Sequence, residues 1–251
     1  MKYNRRNLVK TVLLGAAGLP LVSSAQTVAK AKETKLKILV AGGHPDDPET
    51  GCGGTIAAYA ALGHKVVSLY LTTGEGGIPG TGPDQAAAIR KKEAEKACEI
   101  LGCRPVFAGQ IDGDTLVNKM WYDKIRDILE KEKPDIVFTH WPIDTHRDHR
   151  AISLLIYDAW LRMEKGFELF YFEVLSGAQT QQFHPTHFVD ISETEPIKEK
   201  ACRAHASQVP DDFYPYHQDM SRFRGMESGY KHAEAFVRHV QNGEGIGSSH
   251  Q

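Results

Sequence analysis

The chain has 251 residues, 41% of them hydrophobic and 25% charged, with a formal net charge of −2. These proportions suit a globular protein with one large hydrophobic core or two small ones. A near-neutral balance without a basic patch gives no electrostatic basis for binding nucleic acid or anionic lipid.

The opening segment, "MKYNRRNLVKTVLLGAAGLPLVSSA", has a basic start, an apolar middle and small residues at Ser23, Ser24 and Ala25. That is the pattern of a cleaved export signal over residues 1–25. Its apolar run is short and broken by Pro20, so no stable membrane span is expected. Arg5 and Arg6 followed by Asn7, Leu8, Val9 and Lys10 fit a twin-arginine signal or an ordinary export signal equally well. Removal of the segment deletes four cations and no acids, taking the net charge from −2 to −6. The expected location is periplasmic or extracellular, an oxidising compartment for Cys52, Cys98, Cys103 and Cys202. Their spacing matches no zinc finger or ribbon; Cys98 and Cys103 bracket a helix end and could be bridged, with buried free thiols the expectation.

From Lys35 onward, apolar runs alternate with amphipathic stretches. "KLKILVAGG" and "KVVSLYLTT" read as strands, with the helical "TIAAYAALG" between them. A Gly-rich loop, "TGEGGIPGTGPD", precedes the helix "QAAAIRKKEAEKACEILG", the strand "RPVFAG", the helix "KMWYDKIRDILEKEK" and the strand "PDIVFTH". A helix follows over "THRDHRAISLLIYDAWLRME", with Thr145 as the expected cap. Next come the strands "ELFYFEV" and "THFVDIS", the helix "TEPIKEKACRAHASQ" and a terminal helix over "GYKHAEAFVRHV". The alternation implies an α/β fold with a mostly parallel sheet flanked by helices, a single domain over residues 35–240 and a disordered tail over 241–251.

Ligands of such sheets bind beyond the carboxyl ends of strands, near the switch in strand order. Three segments lie there: "GGHPDDPE", "TTGEGG" and "THWPIDTHRDH". His44 and Asp47, three apart in a strand-to-helix turn, can grip one ion; a neutral imidazole and a carboxylate suit zinc, with ferrous iron as the alternative. Asp46, beside that site, is placed to take a proton from an activated water. His146 and His149 share one face of a first helical turn. One of them completes a two-His, one-carboxylate site with an open position; the other is left to serve the reacting group, with Asp148 as its orienting partner.

The stretches "HPDDPETGCGGTIA", "TTGEGG", "IRKKEAEKACEILG" and "HRDH" resemble the PIG-L/LmbE-like de-N-acetylases, and the likeness extends to "KACRAHASQ" and "FRG…GYKHAEAF". The resemblance implies a three-layer Rossmann-like (LmbE-like) fold and removal of an N-acetyl group from an N-acetylglucosamine-type sugar or glycoconjugate. It implies that His44, Asp47 and His149 bind zinc, that Asp46 is the general base, and that His146 protonates the leaving amine or stabilises the oxyanion. Glu75, Arg90 and Asp112 fall where family members touch the sugar. Asp114 is an alternative to Asp112, and Arg90 could instead pair with Glu93 or Glu95 on a helix surface. His205 either approaches the pocket or packs as a structural residue. A sugar O-acetyl esterase and a catalytically silent carbohydrate-binding protein are the rival functions, and the oligomeric state is unreadable.

Overall fold

The computed structural model describes residues 35–240; the expected export signal and the C-terminal tail lie outside them. Apolar, β-branched stretches form strands β1 (Lys37–Gly42), β2 (Lys65–Thr72), β3 (Arg104–Gln110), β4 (Ile136–His140) and β5 (Glu168–Phe172). Between them run helices α1 (Asp47–Ala61), α2 (Pro83–Leu101), α3 (Lys119–Glu132) and α4 (Arg147–Arg162). The chain continues through β6 (His187–Asp190), α5 (Glu195–Cys202), a short 3-10 turn (Ala206–Gln208), α6 (Pro210–Ser228) and β7 (Ala233–Arg238).

The seven strands form one sheet in the order β3-β2-β1-β4-β5-β7-β6. The first five are parallel, and β7 runs antiparallel to both β5 and β6. Alternate residues of β1 serve opposite faces. Leu39 and Ala41 join Leu69, Val137, Ile125 and Ile152 under α3 and α4. Ile38 and Val40 join Ile56, Leu101, Phe138 and Phe236 under α1, α2 and α5. Burial on both faces is what a parallel sheet requires. β1 pairs with β2 on one side and β4 on the other, so the strand order reverses between β1 and β4. "HPDD" and "THRDH" leave the carboxyl ends of those two strands.

One sequence expectation fails near the C-terminus. "GYKHAEAFVRHV" contains strand β7, not a helix. Its Ala, Glu and Lys content favours a helix locally, but Ala233, Ala235 and Phe236 bury completely between β5 and β6, and pairing overrides propensity. The last helix is instead α6, which tolerates Pro210 at its first turn and Pro215 inside. α4 also starts differently from expectation. Its cap is His146, whose ring accepts the Asp148 N–H, while Thr145 lies outside the helix. All four cysteines are free thiols, Cys103 half-buried and the others buried. Among the described residues no helix is long and apolar enough to cross a membrane.

Candidate metal centre and catalytic cleft

The turn after β1 begins the site. Gly43 lies so close to the next elements that a Cβ there would meet His149 Cδ2 at 3.0 Å and Asp47 Oδ2 at 3.3 Å. Asp47 accepts the His44 N–H through Oδ2 at 2.7 Å, which folds the turn over its own carboxylate. Three imidazoles converge on that carboxylate. His44 Nδ1 lies 3.3 Å from Oδ2, His149 Nε2 lies 3.2 Å from Oδ1, and His140 Nε2 lies 3.2 Å from Oδ2. Asp47, His140 and His149 are fully or almost fully buried.

Each of the two expected imidazole ligands has a carboxylate behind it. His44 Nε2 lies 3.1 Å from Asp148 Oδ2, and His149 Nδ1 lies 3.2 Å from Asp144 Oδ1. A neutral imidazole that donates its proton outward presents a bare lone pair inward. His44 and His149 would then aim two such lone pairs at a carboxylate, an arrangement that a cation between them relieves. Two nitrogens and one carboxylate are a donor set for zinc or ferrous iron. Among the described residues, the sets whose ligand atoms all lie within 4.8 Å of one another are His44, His146 and His149; Asp47, His140 and His149; and His44, Asp112 and Asp148. The expected trio of His44, Asp47 and His149 is brought together only pairwise, each imidazole on Asp47. His44 and His149 therefore each belong to two overlapping sets.

Without an ion, protons carry the charge. Burial pushes the His149 imidazole down, but Asp47 and Asp144 outweigh it and hold it at about 9. His44 is raised well above its ordinary value because Asp112, Asp148 and Asp47 overcome its burial. Asp47 is held well below the usual carboxylate range, against its burial, by His149 and His140. Burial brings His140 down to about 4. His146 is lowered by burial and by the neighbouring His44 and His149.

Beside this cluster opens a cleft of about 430 Å³, lined among others by His44, Asp46, Arg90, Asp112, His146 and His149. Asp46 adopts φ 108°, on the positive side that non-glycine residues seldom occupy. Such backbone strain typically costs about 1–3 kcal/mol and collects at functional sites. Arg90 holds the carboxylate, with Nη2 2.7 Å from Asp46 Oδ2 and a further bond to the Pro45 carbonyl. Gly74 and Gly77 make room for that guanidinium, since a Cβ at either would meet Arg90 Nη1 at 2.4 Å. The Gly-rich loop after β2 is thus shaped around Arg90. Burial raises the Asp46 carboxyl, and Arg90 opposes the rise.

The expected sugar-contacting residues divide. Arg90 is buried on Asp46 and is not a surface partner of Glu93, which bonds Ser207 instead. Asp112 lines the cleft, its Oδ1 3.2 Å from His44 Nε2 and its Oδ2 accepting the Gly76 N–H; Asp114 is exposed. Glu75 does not line the cleft: its carboxylate accepts the Thr73 hydroxyl and the Asp112 N–H, tying two loops together. Asp148 differs most from expectation. Its carboxylate takes His44, Gly113 N–H and the Thr115 hydroxyl, not the His146 ring, whose Nδ1 instead accepts the Asp148 backbone N–H. His205 is completely buried and absent from the cleft wall. The sequence reading missed His140 and Asp144. His140 passes for the last residue of an apolar strand, and Asp144 for part of a turn.

A larger cavity, about 540 Å³, lies at the amino ends of β1, β2 and β3 beside Lys37, Lys65 and Arg104, away from these groups.

Over residues 39–160 the chain matches the family model described as PIG-L: GlcNAc-PI de-N-acetylase. Diacetylchitobiose deacetylase of Thermococcus kodakarensis is 32% identical over 219 residues, covering 79% of this chain and 81% of the relative. The solved structure of N,N'-diacetylchitobiose deacetylase from Pyrococcus horikoshii matches with a TM-score of 0.71 at 27% identity, over 81% of this chain and 83% of that one. A 4-carboxy-2-hydroxymuconate hydratase from Pseudomonas putida KT2440 matches with a TM-score of 0.74, over 85% of this chain and 100% of that one; at 21% identity this likeness concerns the fold alone. With a sequence relative above 30% identity spanning four-fifths of both chains, the chain belongs to the PIG-L/LmbE-like de-N-acetylase family.

Proposed function

We propose that this chain is an exported, metal-dependent hydrolase that removes the N-acetyl group from an N-acetylglucosamine-type sugar or glycoconjugate, releasing acetate and a free amino sugar. The observation that carries the reading is the Asp46 carboxylate, held by Arg90 on the wall of the cleft that His44 and His149 also line. Relatives named diacetylchitobiose deacetylase and "Probable N-acetyl-alpha-D-glucosaminyl L-malate deacetylase 2" support the substrate class. Export rests on the first 25 residues alone.

His44, Asp47 and His149 are the residues that would hold the ion. A bound zinc supplies polarisation of a carbonyl and a water of lowered pKa. Asp46 takes the proton of the attacking water, its carboxyl raised towards a useful basicity by burial. His146 accepts the Asp148 N–H at Nδ1, so its neutral ring carries a proton on Nε2. That N–H is available to the oxyanion as the carbonyl becomes tetrahedral. The proton held by Asp46 then returns to the departing amine, which balances the hydrolysis. Asp112, which also lines the cleft, is available to a sugar hydroxyl.

The test is acetate release from N-acetylglucosamine and its conjugates by zinc-loaded protein lacking residues 1–25, alongside Asp46→Asn. The variant should lose activity by about 10²- to 10⁴-fold while keeping its metal. A variant with most of its activity intact would remove Asp46 as the base. O-acetylated sugars, run in parallel, test the esterase alternative.

A further inference from the structure

Three buried groups that meet near the start of α1 have no part in the reaction as described: Glu49, Tyr70 and His205, each with essentially no exposure. Glu49 Oε2 accepts the Asp46 N–H at 3.1 Å. Glu49 Oε1 accepts the Tyr70 hydroxyl at 2.5 Å and faces His205 Nε2 at 3.7 Å. Neither ring nitrogen of His205 has a hydrogen-bond partner. One carboxylate thus gathers groups from β2 and from the segment after α5, and passes their support to a single backbone N–H, that of Asp46.

That N–H belongs to the one residue of the turn at positive φ, 108°. A strained conformation persists only where its surroundings over-determine it. Arg90 fixes the carboxylate end of Asp46, and Glu49 fixes its backbone end. Loss of either leaves the side chain free to swing from the cleft.

We propose that Glu49, held in turn by Tyr70, is a positioning residue that keeps Asp46 in the backbone conformation from which its carboxylate faces the cleft. Glu49 lines no part of the cleft and acts only through Asp46. The assignment rests on Asp46 being the base. An Asp-x-x-Glu pair at a helix start is also a capping device, so the rival role is purely structural.

Steady-state acetate release, with metal content measured on each sample, separates the two roles in wild type, Asp46→Asn, Glu49→Ala and the double variant. Glu49→Ala should lower kcat by about 10- to 100-fold, the usual effect of a misplaced catalytic group, with KM within about twofold. Its bound metal should be unchanged. In the Asp46→Asn background the same substitution should cause no further loss, because residues that act as one unit are not additive. A crystal structure of Glu49→Ala should find Asp46 out of the positive-φ region. Equal losses in both backgrounds, or a kcat within about twofold of wild type, overturn the proposal. If Glu49→Ala does not fold, Tyr70→Phe removes only one O–H; it should lower kcat by about 3- to 10-fold with KM and metal unchanged, and an unaltered kcat overturns the proposal equally. Activity retained by Asp46→Asn would instead sink the base assignment, a distinct result.

Discussion

Arg90 Nη2 lies 2.7 Å from Asp46 Oδ2, so a buried cation on α2 grips the carboxylate in the turn after β1. Burial raises the Asp46 carboxyl and Arg90 opposes it, so removing the guanidinium raises it further. A base that protonates at higher pH is lost at higher pH. The acidic limb of kcat/KM should therefore move upward in Arg90→Met. A pH–rate profile checks this, and an unmoved limb contradicts the role given to Arg90.

Asp144 supports His149 from behind and is itself held by the Thr180 hydroxyl at 2.9 Å. Removing such an outer carboxylate typically weakens metal binding by about 10- to 100-fold. Asp144→Asn should show that loss in a competition titration with a metal-binding dye. Thr180→Val, which only loosens Asp144, should show a smaller one.

The ion-free protein should lose stability as pH rises from about 6.5 to about 9. His149 is raised from its ordinary value near 6.5 to about 9, so its contribution is complete below 6.5 and disappears on passing 9. His44, also raised, adds in the same direction. His140 and His146 are lowered, so they affect stability only below that window. Metal binding requires the neutral imidazoles, so affinity should rise over the same interval. Thermal melts of chelated and zinc-loaded protein should diverge with rising pH; a flat Tm for the chelated form contradicts the charge state given to His149.

Gly51, on the buried side of α1, packs against Phe172, where a Cβ would come within 2.4 Å of the ring. Gly51→Ala should destabilise the fold by about 1–3 kcal/mol, the common cost of overpacking. Urea unfolding measures it, and a neutral result would mean that α1 can shift on the sheet without penalty.

Much of this was legible because strand-end position and residue chemistry point the same way. His44, Asp46, Asp47, His146 and His149 stand together as the alternation of strands and helices implies. What stayed hidden depends on long-range contacts. His140 joins the cluster only because β4 pairs with β1 in a register that brings Thr139 opposite Ala41. Arg90 belongs to Asp46 because α2 packs against the turn after β1, a contact no local pattern reports. The Asp46-x-x-Glu49 spacing was in plain view as a capping signature, yet its tie to Tyr70 exists only after β2 has paired. The terminal strand was hidden by helix-favouring residues whose fate is decided by β5 and β6.

We propose that His44, Asp47 and His149 share one divalent ion and that the chemistry needs it. Dialysis against a strong chelator, followed by metal analysis and an acetate-release assay on an N-acetylglucosamine conjugate, tests it directly. Activity should vanish on chelation and return on adding about one equivalent of zinc per chain, the ratio of a single catalytic site. A chelated sample free of transition metal that still releases acetate at the untreated rate would contradict it.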